Sequence, residues 1–141
     1  MIKMDARKYL EDYEDLNLKI KNKEREVERW KLIAEGSTGS SDGERVQSSG
    51  TKQKMENAVV TYSDLEKEID SLKRRRASIM ANIDKLKGKQ YDLVYKHYVL
   101  GMNIKSIAMS HGMSESWGTT THSRALQSMQ KILDEEKVWQ D

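Results

Sequence analysis

The chain has 141 residues, 25 basic and 23 acidic, a formal net charge of +2, 36% apolar and 34% charged residues, and no Pro, Phe or Cys. This leaves room for one ordinary domain or two small units, and excludes a large apolar core, disulfides and thiolate metal sites. With no proline and abundant Lys, Glu, Arg, Leu, Met and Ala, the composition predicts an all-α fold.

Met1 to Leu10 mixes charged and apolar residues without the continuous apolar run of a secretory leader or membrane span, so a soluble, cytoplasmic chain is expected, with no membrane partner. From Ile2 to Ala34 apolar residues follow a heptad through Ala6, Tyr9, Tyr13, Leu16, Ile20, Val27 and Trp30, with Lys23 the polar interruption. The spacing predicts one helix of roughly 50 Å that needs a partner helix. Gly36 then opens a Gly/Ser-rich connection, residues 36–52, that reads as a linker. Within it Arg45, Val46 and Gln47 read either as spacer or as a recognition segment that folds on a partner.

From Met55 to Leu86 a second seam runs through Ala58, Tyr62, Leu65, Ile69, Leu72, Ile79 and Ile83, with Arg76 the exception. Two amphipathic helices of equal length joined by a flexible loop predict a long antiparallel, coiled-coil-like hairpin, and the loop also permits exchange between protomers. Two helices leave part of each stripe uncovered, so a homodimer or small homo-oligomer is expected. Lys73, Arg74, Arg75, Arg76, Lys85, Lys87 and Lys89, with Asp84 the acid among them, concentrate positive charge beside the C-terminal unit. Such a run suits phosphate, though on a helix it is more often a solvated face.

Gly88 reads as a C-cap, dividing the chain into a hairpin, 1–87, and a C-terminal domain, 88–141. There Tyr91, Val94, Tyr95 and Tyr98 line one short helix that Gly101 ends. Asn103 caps a second helix with Ile104, Ile107 and Ala108 inward, which Gly112 ends. Ser114 caps a third, with Gly118, His122, Ala125, Met129 and Ile132 inward, running to about Glu136. Helix, short glycine turn and second helix in this register predict a three-helix, helix-turn-helix domain. Ala108 is small where the next helix crosses, and Gly112 supplies the positive φ of the turn.

The run Tyr98 to Leu126, YVLGMNIKSIAMSHGMSESWGTTTHSRAL, resembles the fourth conserved region of bacterial sigma factors. With MDARKYLEDYEDLNLKIKNKE near the start and ERVQSSG in the linker, nearly the whole chain resembles small phage and prophage proteins of Gram-positive bacteria related to their late-transcription regulators. The resemblance implies a transcription regulator of the bacterial host cell that binds double-stranded DNA, with RNA polymerase as a further candidate partner. By position it puts Ser114, Glu115, Ser116, Trp117, Thr119, Thr120 and Ser123 on the groove-facing side of the recognition helix, and Lys105 at phosphate.

Two departures stand out. Thr119, Thr120 and Thr121 occupy positions where sigma-like helices offer Lys or Arg, so bidentate guanine readout is absent there. Gly118 replaces a branched apolar residue, at a cost of roughly 1 kcal/mol in helix stability relative to alanine, which suggests that Trp117 turns inward to fill a gap. His97, His111 and His122 lie on three different predicted helices without Cys or paired carboxylates at ligand spacing, so neither metal nor cofactor is expected. No nucleophile motif or phosphate-binding loop points to catalysis. A protein-interaction module for RNA polymerase or a repressor, and a small DNA-packaging (terminase) subunit, are the rival readings.

Overall fold

In a computed structural model the structure describes residues 2–36, 49–136 and 139–140. The fold is all-α. Helices α1 (Ala6–Ala34) and α2 (Ser49–Ile83) precede α3 (Gly88–Val94), a π-helical turn (Tyr95–Val99), α4 (Ile104–Ser110) and α5 (Glu115–Glu136). A two-residue antiparallel pairing joins β1 (Ile2–Lys3) to β2 (Trp139–Gln140), with Ile2 opposite Gln140. Among the described residues, no helix is long and apolar enough to cross a membrane.

Ile2 therefore belongs to a strand rather than to the first heptad, and α2 begins at Ser49, inside the expected 36–52 linker. Helix propagation costs little once packing anchors the rest of α2, so Ser49 and Gly50 extend it despite their composition. The Arg45, Val46 and Gln47 segment lies outside the described residues. Gly88, expected to cap the second long helix, instead stands at the start of α3 with φ +59°, because α2 already ends at Ile83.

The chain divides into two compact units, 17–74 and the combination of 1–16 with 75–141, not at the 87/88 boundary read from the sequence. In unit 17–74 the helices run antiparallel: Lys31 pairs with Glu66 at 3.6 Å, and Glu24 with Lys73 at 3.3 Å. Ile20, Val27 and Ile69 are buried between them, with Tyr62, Leu65 and Leu72 packed partly buried against that core. This is the heptad seam expected from the sequence, thinned at Trp30, which stays half-buried.

The other unit has a broader core. Leu10, Leu16, Ile83, Leu93, Val94, Ile107, Met129 and Leu133 are essentially fully buried. The first turns of α1 are tied to α5, since the Ala6 amide donates to Gln130 Oε1 at 2.9 Å and Gln130 Nε2 donates to the Met4 carbonyl at 3.0 Å. Asn82 Nδ2, buried on α2, donates to Tyr9 Oη at 2.8 Å and to Glu136 Oε2 at 3.1 Å. These ties carry the compact unit back past residue 87. On α5 Leu133 is buried while Ile132, expected inward, is only half-buried.

Candidate nucleic-acid interface

The turn between α4 and α5 is built from local chemistry. Asn103 caps α4, its Oδ1 accepting from the Ser106 amide at 2.8 Å, and Ser114 caps α5, its Oγ accepting from the Trp117 amide at 3.2 Å. Gly112 sits at φ +70°, a conformation an L side chain resists, and lets the chain reverse within four residues. Ile104 and Ala108 bring α4 against Gly118 of α5, and Ile107, Ala108, Ala125 and Met129 are buried.

Gly118 corrects the expectation of a gap. A Cβ built there would lie 2.8 Å from Ile104 Cγ2 and 3.1 Å from Ala108 Cβ, so α4 itself occupies the space a branched residue would need. The glycine permits a close crossing rather than leaving a hole. Trp117 accordingly has nothing to fill: it is half-buried, its ring 5.5 Å from that of His111, with Lys89 Nζ 5.6 Å from its centroid.

Of the residues assigned to DNA by resemblance, Lys105, Ser114, Glu115, Ser116, Thr119, Thr120 and Ser123 are all exposed. They are not equally free. The Thr119 hydroxyl donates to the Glu115 carbonyl at 3.2 Å and Ser114 Oγ is engaged in its cap, which leaves Ser116, Thr120 and Ser123 as the more open hydroxyls. Thr121, the third threonine of the run, is buried. Sequence reasoning missed that Arg124, Gln127 and Lys131 are exposed on the same side of α5, four to eleven positions beyond Thr120. The signal was present in the helical period: Ser116, Thr120, Arg124 and Gln127 recur at four- and three-residue steps.

Beneath this face lies a polar cluster. The Tyr98 hydroxyl and His122 Nε2 are hydrogen-bonded at 2.7 Å, and the ring centroids of His97 and His122 are 5.3 Å apart. His97 Nδ1 donates to the Met102 carbonyl at 2.7 Å. Burial, reinforced by His97 and Arg7, holds His122 down to about 4, and burial pushes Tyr98 up to about 12, so both are neutral near pH 7. The histidines expected to lie apart on separate helices are thus partly brought together, His97 edge-on against His122. His111 instead meets Asp92 at 2.7 Å, beside Lys96 at 2.9 Å from the same oxygen. Burial would raise Asp92, but these hydrogen bonds outweigh it and its carboxyl is lowered.

Much of the basic run is spoken for. Lys73 pairs with Glu24, Arg75 with Asp12 at 3.0 Å, and Lys85 with Glu136. Compared with protein-family models, curated proteins and solved structures, the chain gives no significant match.

Proposed function

We propose that this chain is a non-enzymatic, double-stranded-DNA-binding transcription regulator of the phage or prophage type, with α5 as its recognition helix. The observation that carries the reading is the close α4–α5 crossing at Gly118, which leaves Ser116, Thr120, Ser123, Arg124 and Gln127 exposed along one side of α5. Hydroxyl and amide groups suit phosphate oxygens and adenine edges, and Arg124 supplies the guanidinium that Thr119 to Thr121 lack. The paired helices of unit 17–74 expose Leu18, Leu32, Val59 and Val60, which suits self-association into a homodimer and presentation of two recognition helices.

One observation favours a protein partner such as RNA polymerase instead. Met109, in the last turn of α4, and Met113, in the α4–α5 turn, are 66% and 37% exposed, and such unbranched side chains adapt to varied partner surfaces.

The test is a salt titration of full-length protein on duplex fragments from its own genomic neighbourhood and on random duplex, with assembly mass measured on the same sample. A preference for one fragment that persists as salt rises, with a dimer mass, is expected. Absence of salt-dependent duplex binding overturns the reading and favours the protein partner. A ring-sized assembly favours the DNA-packaging alternative.

A further inference from the structure

Arg7 sits in the first turn of α1, more than a hundred residues before the helix it accompanies. It is exposed and shares an open cleft with Thr119, Ser123 and Gln127 of α5. Among the described residues it forms no ion pair; the acid in the same cleft, Asp5, accepts instead from the Lys8 amide at 3.2 Å. Its position is fixed by the hydrogen bonds from Gln130 and to Gln130 that dock the start of α1 on α5.

Lys89 occupies a corresponding place on another side. It is exposed on α3, with its ammonium above the Trp117 ring. Trp117 and Thr119 are two residues apart, so they point about 200° apart around α5. Arg7 and Lys89 therefore flank the exposed strip of Ser116, Thr120 and Arg124 on opposite sides. A helix seated in a major groove about 12 Å wide has a phosphate backbone along each side, and a cation on each flank meets one of them.

Resting on the DNA-binding reading above, we propose that Arg7 and Lys89 are the paired phosphate contacts that seat α5 in the groove, so that the N-terminal segment is part of the DNA-binding surface. Arg7 adds affinity and orientation without reading bases, because a phosphate contact carries no sequence information directly.

The experiment measures binding of full-length protein to a fluorescent random-sequence duplex across a salt series, for wild type, R7A, K89A, the double variant, R7K and the control R25A. Arg25 is an exposed cation of unit 17–74, so its loss changes net charge away from α5. Each of R7A and K89A is expected to lower the slope of log affinity against log salt by about one, and the double variant by about two. R7K keeps the wild-type slope, since lysine retains the point charge, and R25A leaves it unchanged. Helical circular dichroism equal to wild type establishes that each variant is folded. An unchanged slope for either R7A or K89A overturns the pairing, as does an equal loss with R25A, while the DNA-binding reading survives. Wild-type protein that fails to bind duplex removes both.

Discussion

The two compact units use stretches of the same two long helices in different ways. In 17–74 the helices meet along one narrow seam, with Ile20, Val27 and Ile69 inside and the ion pairs Lys23–Glu68, Glu24–Lys73 and Lys31–Glu66 on exposed flanks. In the other unit the ends of α1 and α2 are covered from more than one direction, so that neighbouring Tyr9 and Leu10 are both buried and a polar residue, Asn82, is buried with its hydrogen bonds made. A single seam relies on a few side chains and on solvent-screened charge. A multi-helix core tolerates buried polar groups only when they are paired, and it holds a short helix such as α4 rigidly enough to present α5.

The largest effect that sharpens this contrast is expected for L93A. Leu93 of α3 is fully buried, and its truncation is predicted to cost about 2–5 kcal/mol in urea unfolding. V27A in the seam is expected to cost less, because its site lies open to collapse; an equal or larger cost would break the distinction. Next, G118V is predicted to destabilise by about 1–3 kcal/mol through overpacking against Ile104 and Ala108, despite removing a helical glycine. A variant more stable than wild type would show that α4 is free to move away.

A pH effect follows from His122. Its folded pKa, about 4, lies below the ordinary value of 6.5, so the unfolded chain binds the proton more readily. The stabilisation is fully present above about 6.5 and is lost as pH falls toward 4. Wild type is expected to be less stable at pH 5.5 than at pH 7.5 by about 1 kcal/mol more than H122Q is. Parallel pH profiles for the two proteins would contradict the buried, neutral histidine. The smallest effect is reserved for E66A, which removes an exposed ion pair and is expected to change stability by less than about 0.5 kcal/mol, with little left at high salt.

The long helices, their seam and the caps at Asn103 and Ser114 were legible because each rests on a local period or a single side-chain hydrogen bond. Other features were not local. Leu10 falls off the heptad and is buried only because its part of α1 meets more than one partner surface. Gly118 reads as a missing side chain until the approach of Ile104 is known. Of the site, the exposed hydroxyls of α5 were placed by position alone, whereas Arg7 and Lys89 reach it by tertiary packing that no spacing in the chain announces. Arg124, by contrast, is legible in the helical period, four residues beyond Thr120 on the same exposed side of α5.

The most direct test of the central claim is residue-by-residue mapping of duplex binding by amide chemical shifts on isotopically labelled, full-length protein. Perturbations are expected to concentrate on Ser116, Thr120, Ser123, Arg124 and Gln127 of α5, with Arg7 and Lys89 following and the seam residues of unit 17–74 unmoved. Perturbations confined to unit 17–74, with α5 silent at saturating duplex, would contradict it.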